Sequence, residues 1–197
     1  MAKFILASGS PRRKELLEQI GLSFEIKVAQ GEEVITKKVP SEVVEELSKQ
    51  KALEIADAYE KEQEVTQETT VVIGADTVVA FDDEIMGKPK NENMAKQMLG
   101  KLQNNTHQVY TGVTLVIMTE EERKVITFHE KTEVQMYPMT QTQIDAYVAT
   151  GESMDKAGSY AIQGKCAAYI KGICGDYNNV VGLPVARLMQ ELFKQNI

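Results

Sequence analysis

The chain has 197 residues, of which 43% are hydrophobic and 26% charged, and it carries a net charge of −7 at pH 7. That length suits one large domain, or one domain of two lobes, with a substantial core, and the composition is that of an ordinary globular protein. The acidic balance argues against nucleic acid or an anionic membrane as the main partner; the apolar run Phe4–Ala7 is too short for a signal peptide and no segment approaches a bilayer span, so the expected location is the cytoplasm.

In chain order, Lys3–Ala7 predicts a strand that ends in the turn Ser8-Gly9-Ser10. Ser10 serves as N-cap and Pro11 as first residue of a helix over Pro11–Ile20, which Gly21 closes. A strand around Ser23–Val28 and an acidic loop through Gly31, Glu32 and Glu33 lead to a long helix, Ser41–Glu62. Glu60–Glu68 reads as a polar, solvated helix end and loop. Thr69–Phe81 is a β-branched strand, Asp82-Asp83-Glu84 a hairpin tip, and Ile85–Met86 the return into Gly87-Lys88-Pro89. A helix at Asn93–Leu102 precedes two alternating strands, Gln108–Met118 and Arg123–Tyr137, around an acidic turn. Helix Thr140–Ala149 follows, then a glycine-punctuated region with strands near Tyr160–Gln163 and Ala167–Ile170, and a final helix, Pro184–Phe193. This order predicts an α/β fold with a mixed twisted sheet and flanking helices, in a single domain over 1–197 whose lobe boundary runs through the long strands.

Arg12 and Arg13 fall in the first turn of the first helix, where cations oppose the helix dipole. They fit a polyanion such as a triphosphate held at that end, or else are two solvated arginines. Asp76 interrupts the apolar run Val71–Val79, a strand that reads as buried on both faces. A carboxylate there must be paired, hydrogen-bonded or metal-bound, unless it caps a strand break. Gly74 marks a bend or the close approach of a ligand. Lys51 sits on the apolar stripe of Val44, Leu47, Ile55, Ala58 and Tyr59, with snorkelling to solvent as the plain alternative. Glu45, Glu46 and Glu54 point elsewhere on the helical wheel. Lys51 is therefore expected to lack a partner until an anion binds, so that Lys51→Met would keep or slightly raise stability while reducing activity.

Four residues are weaker candidates alone. Glu33 and Lys88 can simply be solvated, Thr77 can be an ordinary strand residue, and Gln163 can be a core amide or read a base edge. Cys166 and Cys174 form no zinc-type pair and read as buried hydrophobes or idle thiols, and neither His107 nor His129 has a second ligand at metal spacing. Any metal is expected to be hard and oxygen-bound, such as Mg²⁺. No Walker loop and no G-x-G-x-x-G follow a strand, and no Ser-His-Asp or Cys-His context appears.

Six segments together resemble the Maf-like nucleoside triphosphate pyrophosphatases: Ala7–Arg13, Gly74–Val79, Gly87–Pro89, His107–Val113, Asp155–Gly164 and Asn179–Pro184. The resemblance runs in order from residue 4 to about 193. It implies hydrolysis of a nucleoside triphosphate between the α- and β-phosphates, and a fold similar to the inosine triphosphate pyrophosphatases with two lobes around a cleft. It also implies a divalent cation, Mg²⁺ or Mn²⁺, with Asp76 and Glu33 as candidate ligands. Asp76 falls at the family's proton-acceptor position, Arg12, Thr77 and Gln163 where base specificity is set, and Ser8, Arg13, Glu33, Lys51 and Lys88 at its other polar positions. Ile162-Gln163-Gly164 resembles the branch that prefers dTTP and UTP. Which carboxylate is base and which is ligand stays open, and a homodimer is an allowed assembly. The competing readings are a phosphotransferase and a non-catalytic nucleotide-binding regulator linked to cell division or septum formation.

Overall fold

The computed structural model describes residues 2–62 and 68–197, so residues 63–67 of the expected polar loop lie outside the described residues. Strand β1 (Lys3–Leu6), helix α1 (Pro11–Gln19), strand β2 (Glu25–Ile26) and helix α2 (Pro40–Glu62) come first. Strands β3 (Thr70–Phe81) and β4 (Glu84–Met86) precede helix α3 (Glu92–Leu102) and the long strands β5 (Thr106–Met118) and β6 (Arg123–Met136). Helix α4 (Gln141–Val148), two 3-10 turns (Ala157–Ser159 and Lys165–Tyr169), strand β7 (Ile170–Cys174), and helices α5 (Tyr177–Val181) and α6 (Val185–Phe193) complete the chain.

The sheet is mixed, as expected. Its order is β2-β1-β3-β5-β6-β7, with β4 added to β3. Strand β1 pairs in parallel with β2 and β3, whereas β3–β4 and β6–β7 are antiparallel. The β3–β4 hairpin turns through Asp82 and Asp83, which carry φ of 52° and 62°, the left-handed pair that a two-residue hairpin loop requires. Thr140 caps α4 with a full capping box, and Asn91 caps α3 by accepting from Met94 N at 2.9 Å. Ser10 stands at the N-cap of α1, but its side chain makes no capping hydrogen bond. Ser8 Oγ instead accepts from the Ser10 N–H at 3.3 Å.

By its internal contacts the chain divides into two compact units. The first comprises residues 1–76, 111–130 and 182–197, and the second 77–110 and 131–181. In the first unit, Ile5, Ala52, Ile55, Tyr59, Val72 and Val116 are among the residues of one buried cluster. Helix α2 sits so close to the sheet that a Cβ on Gly74 would lie 2.4 Å from Ser48 O, and one on Gly112 would lie 2.2 Å from Val44 O. Gly74 therefore marks the close approach of a helix backbone, not of a ligand. Backbone cannot yield to a methyl group as a flexible side chain does. Gly74→Ala is expected to cost about 1–3 kcal/mol of stability through overpacking, read as a lower denaturation midpoint at unchanged slope. An unshifted midpoint would show that α2 tolerates the displacement.

In the second unit the sequence expectation fails between residues 160 and 170. Tyr160–Gln163 is turn and coil, and Ala167–Tyr169 belongs to a 3-10 helix, with the strand starting only at Ile170. Tyr160 and Ile162 are buried, but by side-chain packing and not in a ladder. The Tyr160 hydroxyl meets His107 Nε2 at 2.7 Å, and the two rings meet edge to face at 5.2 Å. Burial pushes the His107 imidazole down to about 4, so it is neutral at physiological pH. Cys166 is buried and Cys174 exposed, both free thiols, and burial pushes the Cys166 thiol up to about 12, which makes it inert.

Candidate active site

Six of the nine residues singled out from the sequence lie in the first unit. The turn from β1 into α1 presents Ser8 and Arg13 together. Ser8 is buried, and its hydroxyl accepts from Arg13 Nη1 at 3.1 Å, while Arg13 Nε donates to Gly182 O at 2.8 Å. The guanidinium is thus fixed from two sides, which defines the direction of its fork. Burial pushes Arg13 down from its ordinary value, with the Arg12 charge acting in the same direction; the Asp76 and Glu33 carboxylates push it up. An arginine remains charged through shifts of this kind. Arg12 is half-buried on the same first turn.

Lys51 and Asp76 face one another because α2 is seated on β3. Residues two apart on a strand share a face, so Asp76 projects on the side of Gly74, against which Ser48 and Ala52 pack. Lys51 Nζ lies 2.5 Å from Asp76 Oδ1 and 2.9 Å from Glu33 Oε1. The side chains of Lys51 and Asp76 are only 19% and 14% exposed, whereas that of Glu33 is 51% exposed. The expectation that Lys51 lacks a partner in the free protein is therefore overturned. A helical wheel displays neighbours within one helix, and both partners come from elsewhere in the chain.

The same wheel turned Glu45, Glu46 and Glu54 away from Lys51, but the role of the last two was not visible there. Glu46, Gln50 and Glu54 are spaced by four and form one stripe along α2. Glu54 accepts from the backbone N–H groups of Gln30 at 2.7 Å and Gly31 at 3.1 Å. Gln50 accepts from Val34 N at 3.0 Å and donates to Val34 O at 2.6 Å. Glu46 accepts from Thr36 N at 2.8 Å and from the Thr36 hydroxyl, contacts that hold its carboxyl below its ordinary value. Residues 30–37 are thereby tied along the helix as an extended strap, and the strap brings Glu33 to Lys51. Polar residues at i, i+4 and i+8 beside a loop with no regular structure are the sequence signal that could have found it.

Thr77, Lys88 and Gln163 belong to the second unit. Thr77 is half-buried in β3, Lys88 is exposed in the segment that follows β4, and Gln163 is exposed in a turn. Exposure removes the core-amide reading of Gln163. Asn179 of the last motif is a buried structural amide, donating to Val109 O at 3.1 Å and Thr132 Oγ1 at 3.0 Å. Among the described residues, no helix is long and apolar enough to cross a membrane.

This arrangement gathers a hydrogen-bonded arginine and a lysine bridging two carboxylates beside a strand-to-helix turn, a set suited to holding phosphate charge near an acidic group. A family model described as Maf-like protein matches residues 3–195. The dTTP/UTP pyrophosphatase of Agathobacter rectalis is 56% identical, over 100% of this chain and 99% of the relative. That of Bacillus cytotoxicus is 50% identical over 98% and 95% of the two chains, and that of Lachnoclostridium phytofermentans 47% identical over 100% and 97%. With its motifs in order and the match running almost end to end, the chain belongs to the Maf-like protein family.

Proposed function

We propose that the protein hydrolyses dTTP and UTP to the monophosphate and pyrophosphate, with Asp76 as the group that accepts the proton of the attacking water. The observation that carries the reading is the Lys51–Asp76–Glu33 cluster beside Arg13, in a chain whose full-length relatives are named dTTP/UTP pyrophosphatase. Attack at the α-phosphorus requires an oriented water, a neutralised triphosphate and a stabilised leaving pyrophosphate. Lys51 fixes the orientation of Asp76 and has three N–H donors, of which the two carboxylates occupy two. The third is free to meet a phosphate oxygen. Arg13, aimed by Ser8 and Gly182, carries the remaining phosphate charge together with Arg12.

A divalent cation, Mg²⁺ or Mn²⁺, fits this donor set. Asp76 and Glu33 converge on one cationic point, the Lys51 ammonium, and offer only hard oxygen ligands. A cation held by these two carboxylates would take its other ligands from water and phosphate oxygens. When bound, the cation would supply charge neutralisation at the phosphates.

Release of pyrophosphate from a panel of nucleoside triphosphates with Mg²⁺ tests the reaction. Orthophosphate as the sole product would contradict cleavage between the α- and β-phosphates, and nucleotide binding with no product would favour a regulator. Gln163 offers a donor and an acceptor, which suits the O4 and N3–H edge of thymine or uracil. Because the Gln163 side chain is exposed, its contribution is that of an ordinary net hydrogen bond, about 0.5–1.5 kcal/mol. Gln163→Ala is therefore expected to narrow the preference for dTTP over dGTP by a factor of about two to ten. Equal efficiency on all four bases in the unmodified protein would remove the base assignment and leave the reaction type standing.

A further inference from the structure

Among the described residues the Gln163 side chain has no hydrogen-bond partner of its own, so the backbone of its turn must aim it. That turn is closed by Gly164 N donating to Ala161 O at 3.2 Å. Beneath it, Tyr147 and Glu152 grip the chain on both sides of Gln163. The Tyr147 hydroxyl accepts from Ala161 N at 3.2 Å and donates to Glu152 Oε1 at 2.8 Å. Glu152 Oε2 accepts from Lys165 N at 3.1 Å. Positions 161 and 165 lie two residues to either side of Gln163, and one carboxylate serves both, directly or through the phenol. Gly164 completes the grip, because a Cβ there would stand about 2.5 Å from the Glu152 carboxylate. Tyr147 is buried at the end of α4, so the grip is anchored in a helix.

We propose that Tyr147 and Glu152 are positioning residues for base selection, fixing the Ala161–Lys165 turn so that Gln163 presents its amide in one direction. The proposal rests on the reading of Gln163 as the residue that meets the base. Neither Tyr147 nor Glu152 touches the substrate, and loss of either sets Gln163 free to sample directions that do not discriminate between bases.

The test uses Tyr147→Phe, Glu152→Gln, Glu152→Ala and Gln163→Ala in the full chain, with steady-state pyrophosphate release from dTTP and dGTP, and amide hydrogen exchange over residues 161–165. Glu152→Ala is expected to accelerate exchange in the turn by about tenfold or more. It should also raise KM for dTTP by no more than the factor of about two to ten expected for Gln163→Ala, with kcat within about twofold and dGTP kinetics unchanged. Glu152→Gln keeps one acceptor and should show a smaller shift in the same direction. If Tyr147→Phe fails to fold, the two Glu152 variants still decide the outcome. Equal losses on both nucleotides would assign the pair a purely structural role and overturn the proposal, as would faster exchange with an unchanged dTTP preference. The Gln163→Ala arm separates the two levels. If it keeps the preference intact, the base reading fails and the proposal falls with it; if it abolishes the preference while the Glu152 variants do not, only the positioning proposal fails.

Discussion

Asp76→Asn is expected to lower turnover by about 10²–10⁴, the usual loss when a positioned acid–base group is removed. The substitution keeps the shape of the side chain, and Lys51 retains Glu33 at 2.9 Å, so the fold should survive. The measurement is single-turnover pyrophosphate release from dTTP on protein shown to be folded by an unchanged unfolding transition. Because Asn still accepts a hydrogen bond from Lys51, the variant separates proton acceptance from the mere positioning of the lysine. Near-normal turnover in the folded variant would take Asp76 out of the chemistry.

Lys51→Met is expected to damage both stability and activity, the reverse of what the helical wheel suggested for stability. Met preserves the apolar stem, but its sulfur cannot answer Asp76, whose side chain is 14% exposed. Breaking a buried ion pair from one side typically costs about 3–5 kcal/mol. The exposure of Glu33 and the remaining solvent at Asp76 reduce this to about 1–3 kcal/mol. The double variant Lys51→Met/Asp76→Asn should recover part of the loss, giving a coupling of about 1 kcal/mol or more in a double-mutant cycle. Catalytic efficiency should fall by about 10²-fold, because a phosphate-facing cation and the orientation of Asp76 vanish together. A Lys51→Met protein of unchanged stability would mean that the ion pair contributes nothing net.

The legible parts of this fold were those set by local signals. Pro11 and Gly21 bound α1, and the Schellman-like closure is present, with Gly21 at φ 74° and its N–H donating to Glu18 O at 2.9 Å. The Asp82-Asp83 hairpin was equally visible, since it depends on a few contiguous residues. What could not be read was set at long range. The Lys51 partners lie at residues 33 and 76, and the obstacle at Gly74 is the backbone of Ser48 and Ala52. The apolar Tyr160 and Ile162 suggested a strand because burial by a side-chain cluster and burial in a sheet leave the same pattern in a short run. Helix α5, five residues long, is too brief for any periodicity. The site followed the same division. Residue types and order identified Arg13, Lys51 and Asp76, but the strap that carries Glu33 depends on side chains whose role only their neighbours reveal.

The two carboxylates on Lys51 are held by structures of very different durability. Asp76 belongs to a twelve-residue strand buried over most of its length, and parting it from α2 means opening the core. Glu33 rides on a segment without helix or strand, fastened by the side chains of Glu46, Gln50 and Glu54 near the surface. Detaching it requires only a local opening, whose free energy lies far below that of global unfolding. The acidic pair is therefore divided into a permanent member and a releasable one, and Lys51 can exchange the second for another anion while the first stays in place.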